Sequence, residues 1–276
     1  MSLPPKNRIS ILGCGWLGFP LAVYLIKRGY SIKGATTHPE KMKVLRERSI
    51  EPYLIRLDPE INKDYHLSFF DSDALVVNIP PGRKRTDVVD FHIIQMRSLI
   101  HALQNTAVRH VLFVSSTSVY ADLNREVREE EAGNPVRESG EALLKVESLF
   151  TTNTDFTATI VRFAGLFGYD RNPGRFLSGK TLNHNGEAPV NLIHQDDGVS
   201  ILSAIIDQER WGRIYNACAD AHPSKKEFYA AAAQKLSIPP PVFAGKEKGG
   251  YKIINSDKLK EELDYTFKYP DPLQAL

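Results

Sequence analysis

The chain has 276 residues, of which 42% are hydrophobic and 25% are charged, and its formal net charge is +2. This length and composition exclude a disulfide-stapled mini-protein and a disordered chain, and they are typical of a globular protein with a sizeable core. The small net charge indicates no nucleic-acid partner, since the basic run GRKR at residues 82–85 has no interleaved aromatic residues and is typical of a solvated loop.

The first residues contain no basic region followed by an apolar stretch, and the first apolar run, residues 9–12, is too short to cross a bilayer. We therefore expect a cytoplasmic protein with no membrane partner. Cys14 and Cys218 have no cysteine, histidine or carboxylate near them at metal-ligand spacing. They are interpreted as reduced thiols, and no metal site is predicted.

From residue 8 to residue 117, short runs rich in Val and Ile alternate with helical patterns. The runs that predict strands are RISILGCG, SIKGATT, residues 53–57, ALVVNIP and HVLFVSS. The patterns that predict helices are PLAVYLIKRG, EKMKVLRER and an apolar face made by Val89, Ile93, Met96, Ile100 and Leu103. Such strands separated by amphipathic helices indicate an α/β fold with a doubly wound parallel sheet.

The second half of the chain continues the alternation. Residues 139–150 predict a helix, FTATIVRFAGLFG a strand, residues 199–206 a helix and GRIYNA a strand that returns to the sheet. Residues 169–190 are rich in Gly, Asn and Arg and are interpreted as a loop and insertion. Beyond residue 220, the chain predicts a small carboxyl-terminal lobe to which part of this loop contributes.

The run ILGCGWLG places Gly13, Gly15 and Gly18 in G-x-G-x-x-G spacing, between the first predicted strand and the first predicted helix. The first glycine permits a tight turn, the second lets the backbone approach a pyrophosphate, and the third lets helix and strand pack closely. The amino terminus of the helix then offers N–H groups to phosphate. In this context the motif predicts a Rossmann dinucleotide site, which also includes Trp16 and Leu17.

The end of the second predicted strand bears on the choice of dinucleotide. An acidic residue about twenty positions beyond the glycines would bind the ribose of NAD, but KGATTHPEKMK has no carboxylate before Glu40. The sequence therefore favours NADP over NAD, with a 2′-phosphate bound by Thr36, Thr37, His38 and Lys41. The alternative is an ordinary helix start at residues 39–40.

The run ALVVNIPPG ends a strand at the edge where open parallel sheets bind ligands. Asn78, Ile79 and Pro80 are therefore predicted to line the ribose of the cofactor. A strand stop made by two prolines is an equally weighted alternative.

Four segments occur in the order found in the extended short-chain dehydrogenase/reductases, the family of NAD-dependent sugar-nucleotide epimerases and dehydratases. They are FVSSTSVYAD, IVRFAGLFGYDRNPGRF, VNLIHQDDGVSIL and RIYNACADAHPSKKEFYAAAAQKL. The chain resembles this family over nearly its whole length. Its glycine spacing and short final lobe are similar to the atypical subgroup. The resemblance implies a Rossmann domain (residues 1–168 and 191–220) and a small substrate lobe (residues 169–190 and 221–276).

The resemblance also implies site residues. Ser116 would hold the reacting oxygen of the substrate, Ser115 and Ala164 would line the cofactor, and Tyr120 would be a packing residue. Arg171 and Arg175 fall where family members contact the diphosphate of a sugar nucleotide, and planar guanidinium groups suit phosphate. We therefore expect a small-molecule substrate that is anionic or nucleotide-linked, and an oligomeric assembly remains open.

His194 lies in a segment that shapes the substrate pocket of family members and is predicted to contact substrate. With Asp196 or Asp197 it could also form an acid/base pair. A structural role is preferred, with Asp197 capping the following helix.

The chain departs from the family at the acid/base pair. The family's tyrosine, with an unperturbed pKa of about 10, is followed four residues later by a lysine whose charge lowers that pKa. No tyrosine of this chain has a lysine at that spacing. Aligning lysine on lysine puts Glu141 at the tyrosine position and Lys145 at its own. Aligning Glu147 on the glutamate that follows the family's lysine puts Ser139 and Leu143 at the two positions instead.

Helical spacing favours the second alignment. Leu143, Val146 and Phe150 form an apolar stripe, whereas Glu141 and Lys145 have the i, i+4 spacing of a solvated ion pair. Glu141 is nevertheless the candidate acid/base to test. Two functions follow from this: an oxidoreductase or epimerase with an atypical active site, or a non-catalytic NADP(H)-binding regulator or redox sensor.

Overall fold

The structure is a computed structural model that describes residues 6–62, 65–82, 85–183, 185–245 and 249–276, without the side chains of Lys6 and Asn7. Arg83 and Lys84 of the predicted basic loop lie outside the described residues. Within the described part of the chain, no helix is long and apolar enough to cross a membrane.

The described strands are β1 (Lys6–Leu12), β2 (Tyr30–Thr36), β3 (Glu51–Leu54), β4 (Ala74–Val77), β5 (His110–Ser116), β6 (Arg125–Val127), β7 (Thr157–Phe163), β8 (Gly165–Phe167), β9 (Thr181–Leu182), β10 (Leu192–His194), β11 (Ile214–Ala217), β12 (Val242–Phe243) and β13 (Lys252–Ile254). The described helices are α1 (Gly18–Lys27), α2 (Lys41–Glu47), α3 (Val88–Leu103), α4 (Glu138–Thr151), α5 (Gly174–Leu177), α6 (Gln195–Asp207), α7 (Lys225–Lys235) and α8 (Asp257–Leu263).

The main sheet has seven parallel strands in the order β3-β2-β1-β4-β5-β7-β11. Its central strands are apolar on both faces, and all four residues of β4 are buried. Such strands need helices on both sides of the sheet, and the intervening sequences supply them. In α1, for example, Leu21, Ala22 and Leu25 are buried. The predicted α/β Rossmann fold is therefore confirmed.

The chain divides into two compact units. The first comprises Met1–Val119, Arg137–Val161 and Val199–Ile214, and the second comprises Tyr120–Val136, Arg162–Gly198 and Tyr215–Leu276. The second unit contains three small parallel pairs, β6 with β13, β8 with β10 and β9 with β12. The predicted assignment of residues 169–190 and 221–276 to a substrate-binding lobe stays a prediction.

Residues 169–190 are more regular than the predicted loop, because they contain α5 and β9. A Cβ atom on Gly174 of α5 would lie 2.5 Å from the carbonyl oxygen of Ala232 in α7, so glycine permits the close approach of the two helices. β9 is stabilised by β12, which lies far along the chain. Both contacts join segments that are distant in the sequence. Local sequence patterns therefore did not predict α5 or β9.

Four histidines should make the fold sensitive to acid. Burial lowers the pKa of His92, His110, His194 and His222. Because an unfolded histidine has a pKa of about 6.5, protons bind the unfolded chain more readily below that pH. The stability that these groups contribute above pH of about 6.5 is therefore lost as the pH falls. Burial raises the pKa of Glu129. Its carboxyl group therefore binds a proton more readily in the folded chain, which offsets part of the loss of stability at more acidic pH.

We therefore expect a lower midpoint of thermal unfolding at pH 5.5 than at pH 7.5, measured by circular dichroism in buffers of equal ionic strength. His92 is fully buried, and His92→Gln should reduce the difference between the two midpoints. The matched control is His101→Gln at an exposed position of α3, which should leave that difference unchanged. Equal midpoints at the two pH values would contradict the expectation.

Candidate cofactor-binding site

The glycine motif forms the turn between β1 and α1. Gly13 has a φ of +95°, and a Cβ atom there would lie 2.3 Å from the carbonyl oxygen of Asn78. A Cβ atom on Gly18 would lie 2.4 Å from the carbonyl oxygen of Gly13. These two glycines are therefore required by the packing of the protein itself. Gly15 differs, because it is exposed and a Cβ atom there would meet no atom within 4 Å.

Neighbouring strands hold this turn in place. The backbone N–H of Asn78 donates to the carbonyl of Leu12 at 2.8 Å, and its side-chain amide donates to the carbonyl of Gly13 at 3.0 Å. The N–H of Cys14 donates to the carbonyl of Ala35 at 2.9 Å. The turn is thus fixed between the carboxyl ends of β4 and β2 before any ligand binds.

The turn fits a pyrophosphate. Leu17, which precedes α1, makes no side-chain cap. In the first turn the N–H of Phe19 donates to the carbonyl of Gly15 at 2.8 Å and Pro20 has no N–H, so the N–H of Gly18 is the donor available to a phosphate. A helix amino terminus of this kind binds phosphate through its N–H groups and its dipole. The open space at Gly15 lets a ligand reach the backbone. Leu17 is buried and Trp16 is half-buried, and their contacts with the cofactor stay predictions.

The predicted ribose-lining residues follow β4. The amide of Asn78 is used to hold the turn, whereas Ile79 is half-buried and Pro80 is exposed. The sequence did not reveal the role of Asn78 in the turn, because the bond to Gly13 joins residues on neighbouring strands. Contact of these three residues with a ribose stays a prediction.

The groups predicted to bind a 2′-phosphate lie at the end of β2. Thr36 is buried, and its hydroxyl accepts a hydrogen bond from the N–H of His38 at 3.2 Å. The imidazole of His38 lies 3.1 Å from the carboxylate of Glu40. Thr37 and Lys41 are exposed. A further cation, Arg56, was not among the predicted residues; its guanidinium donates to the carbonyl of Thr37 at 3.1 and 3.3 Å.

Ser115 and Ser116 end β5. The hydroxyl of Ser115 donates to the carboxylate of Glu147 in α4 at 2.5 Å, and both residues are buried. Ser116 is half-buried, and its hydroxyl accepts a hydrogen bond from the N–H of Ser118 at 3.2 Å. Ser116 therefore keeps its hydroxyl proton available to an acceptor. The roles of both serines toward ligands stay predictions.

Helix α4 shows which of the two alignments its packing supports. Leu143, Val146 and Phe150 are buried. Glu141 and Lys145 form the ion pair predicted from their spacing, at 2.7 Å with both side chains about half exposed. In the second alignment the residue at the family's lysine position is Leu143, which is buried, and the residue at the tyrosine position is Ser139, which is half-buried; the choice of alignment stays a prediction.

The remaining predicted residues lie in the second unit. Ala164 follows β7, and its N–H donates to the carbonyl of Ala217 at 2.9 Å. Arg171 and Arg175 are exposed. His194 is only 5% exposed, and its Nδ1 atom accepts a hydrogen bond from the N–H of Asp196.

The ring of His194 packs against aromatic residues. Its ring centre lies 4.3 Å from that of Tyr269, 5.4 Å from that of Tyr169 and 5.5 Å from that of Phe167. Burial lowers the pKa of His194, so the imidazole is neutral at pH 7. These contacts give the ring a structural role, and its contact with substrate stays a prediction.

Two other polar residues of the second unit are structural. Tyr120 is fully buried, donates to the side-chain oxygen of Asn216 at 2.6 Å and accepts from Arg162 at 2.7 Å. Burial raises the pKa of Tyr120 to about 12, which makes it unsuited to proton transfer at neutral pH. Asp197 is fully buried and accepts hydrogen bonds from residues 265–269.

Comparison with known proteins identifies the family. Residues 13–192 match the family described as NAD(P)H-binding. The chain is 36% identical to Protein YeeZ of Escherichia coli K12 over 97% of this chain and 98% of that protein.

Two solved structures illustrate the shared fold. A functionally unknown conserved protein from Silicibacter pomeroyi DSS has a TM-score of 0.78 and 23% identity, with coverage of 98% of this chain and 96% of that one. UDP-glucuronic acid 4-epimerase from Bacillus cereus, in complex with NAD, has a TM-score of 0.77 and 18% identity, with coverage of 97% and 96%. At these identities the two structures show that the fold is shared. Since the match spans more than half of the chain, the protein belongs to the NAD(P)H-binding family.

Proposed function

We propose that the protein binds NADP(H) in preference to NAD(H) and acts as an oxidoreductase or epimerase on a sugar-like or nucleotide-linked substrate. The observation that carries the proposal is the glycine turn, which Asn78 and Ala35 hold by hydrogen bonds. Of its three glycines, Gly15 is the one whose Cβ position has no atom within 4 Å. The preference for NADP rests on the end of β2, where Glu40 is the first carboxylate and lies beside His38.

The proposed reaction assigns one task to the chain and one to the cofactor. When bound, the nicotinamide donates or accepts the hydride. Ser116, at the carboxyl end of β5, positions the reacting oxygen of the substrate through its hydroxyl. Arg171 and Arg175 are proposed to contact an anionic part of the substrate, for which guanidinium groups are suited.

Binding and turnover test the proposal in sequence. Titration with NADPH and NADH, followed by nicotinamide fluorescence, should give the tighter dissociation constant for NADPH. Protein that binds neither dinucleotide would overturn the proposal. Oxidation or reduction of the cofactor is then followed with a panel of nucleotide sugars, and Ser116→Ala should lower turnover about 100-fold while cofactor affinity is kept.

Glu141 decides whether α4 supplies the acid/base group. Because Glu141 and Lys145 form an exposed ion pair, we expect Glu141→Ala to retain turnover and to lower the free energy of unfolding by no more than about 0.5 kcal/mol. Steady-state kinetics and urea unfolding of the same preparation measure the two quantities. A large loss of turnover with unchanged stability would instead assign proton transfer to Glu141.

A second candidate is a non-catalytic NADP(H)-binding regulator or redox sensor. The observation that favours it is the burial of Leu143, the apolar residue that the second alignment puts at the position of the family's lysine. Binding of NADPH with no turnover on any substrate of the panel, for the wild-type protein, would favour this candidate over the enzyme.

A further inference from the structure

The parallel strands β2 and β3 bring two loops together at the carboxyl edge of the sheet. Thr36 is paired in register with Leu54, and the N–H of Ile55 donates to the carbonyl of Thr36 at 3.1 Å. Residues that follow β2 therefore lie beside residues that follow β3. The glycine turn lies next to these residues, because the N–H of Cys14 donates a hydrogen bond to the carbonyl of Ala35 in β2. In a Rossmann site this edge receives the adenosine ribose.

Arg56 is held across this edge. Its Nε and one terminal nitrogen donate to the carbonyl of Thr37 at 3.3 and 3.1 Å. Its backbone is fixed by Asn62, whose side-chain oxygen accepts from the N–H of Arg56 at 2.8 Å and whose own N–H donates to the Arg56 carbonyl at 2.9 Å. The guanidinium is thus oriented by the protein, although the residue is exposed.

Two of the other polar groups at this edge are engaged, whereas the side chains of Thr37 and Lys41 are exposed. The hydroxyl of Thr36 accepts from the N–H of His38, and the imidazole of His38 lies beside the carboxylate of Glu40. Arg56 has no such neighbour: in the part of the chain that the structure describes, no carboxylate forms an ion pair with it. Arg56 therefore offers a full positive charge at the place where NADP and NAD differ.

We infer that Arg56, the residue two positions after β3, selects NADP(H) over NAD(H) by binding the 2′-phosphate. This rests on the proposed preference for NADP. A guanidinium forms paired, charge-assisted hydrogen bonds with phosphate oxygens, and the 2′-hydroxyl of NAD carries no charge for it to bind. Arg56 acts on the phosphate, and the glycine turn acts on the pyrophosphate that both dinucleotides share.

The test measures dissociation constants of NADPH and NADH by fluorescence titration for wild type, Arg56→Ala and Arg56→Lys. Hydrogen bonds to charged groups contribute enough to give a change of about 10- to 100-fold. Arg56→Ala should weaken NADPH binding by that factor and leave NADH binding unchanged. Arg56→Lys keeps the charge and loses the planar guanidinium group. Its dissociation constant for NADPH should therefore lie between those of the wild type and Arg56→Ala. Adenosine 2′,5′-bisphosphate and ADP, used as competing ligands, should show the same contrast.

Arg46→Ala is the matched control, since Arg46 is an exposed arginine of α2 and its loss changes the net charge equally. It should leave both dissociation constants unchanged. Equal weakening of NADPH and NADH by Arg56→Ala, or no weakening of either, would overturn the inference while the proposed NADP(H) binding stands. A wild-type protein that binds neither dinucleotide, or prefers NADH, would overturn the proposed function and this inference together.

Discussion

Gly15→Val should strongly weaken cofactor binding and leave the stability of the fold unchanged. A Cβ atom at Gly15 meets no protein atom within 4 Å, so the larger side chain projects into the space through which a pyrophosphate reaches the turn. We expect Gly15→Val to weaken NADPH binding by at least about 100-fold, or about 2.7 kcal/mol. The thermal midpoint of the protein without cofactor should stay within about 2 °C of wild type, because no packed atom is displaced.

Gly13→Ala, at the same turn, should instead destabilise the fold. Gly13 has a left-handed φ of +95°, and its Cβ atom would lie 2.3 Å from a backbone carbonyl oxygen that cannot move freely. Strain and overlap together should lower the free energy of unfolding by about 3 kcal/mol. Urea unfolding measures this loss, and cofactor affinity is compared at a temperature where both variants are folded.

Gly133→Val is the control for glycine replacement in open space, since Gly133 also has no atom within 4 Å of its Cβ position and lies in the second unit. Gly133→Val should keep the NADPH affinity and the free energy of unfolding of the wild type. The assignment of the turn fails if Gly15→Val binds NADPH like the wild type. It also fails if Gly15→Val and Gly13→Ala lose stability by similar amounts.

The fold and the glycine turn could be predicted because their signals are local. Strands such as β4 are continuous apolar runs, and the spacing of Gly13, Gly15 and Gly18 records requirements of one short turn. The motif also separates these glycines by function, since it assigns Gly13 to the turn, Gly15 to the ligand and Gly18 to packing. The structure adds the atoms concerned: a Cβ atom on Gly13 would meet the carbonyl oxygen of Asn78, which follows β4, and one on Gly18 would meet the carbonyl oxygen of Gly13.

Contacts between distant segments could not be predicted. Arg56 lies beside Thr37 only because β2 and β3 are neighbours in the sheet. A usable signal existed, since parallel strands end at the same edge and a basic residue just after β3 could have been added to the candidates. No comparable local signal marks the bond between Ser115 and Glu147, or the pairing of β9 with β12.

The packing of helix α4 could be predicted from the sequence only in part. Its apolar spacing correctly separated the buried Leu143 from the exposed pair Glu141 and Lys145. The buried carboxylate of Glu147 interrupts that pattern, because its partner, the hydroxyl of Ser115, comes from the sheet. Binary hydrophobic patterning places a glutamate on the surface unless a partner is known. The acid/base question therefore requires kinetics in addition to helix geometry.

Asp197→Ala should destabilise the second unit strongly. Asp197 is fully buried, and its carboxylate accepts from the hydroxyl of Tyr265 at 2.7 Å and from the N–H groups of Lys268 and Tyr269 at 2.7 and 3.1 Å. Alanine leaves these donors without their acceptor. Removal of one partner from such a buried, charge-assisted network typically lowers stability by 3–5 kcal/mol, and we expect a loss of about 4 kcal/mol.

The neighbouring residue makes the matched control for this prediction. Asp196 is half-buried and accepts from the exposed ammonium of Lys268 and from the hydroxyl of the exposed Tyr169, so Asp196→Ala should lower the free energy of unfolding by only about 1 kcal/mol. Asp197→Asn keeps the shape but loses the charge, and its effect should lie between the two alanine variants. Urea unfolding ranks the three variants, and limited proteolysis should show earlier cleavage within residues 265–276 of Asp197→Ala, because the carboxylate anchors that segment. A loss below about 1 kcal/mol for Asp197→Ala would show instead that aromatic packing around Tyr269 holds the carboxyl-terminal segment without it.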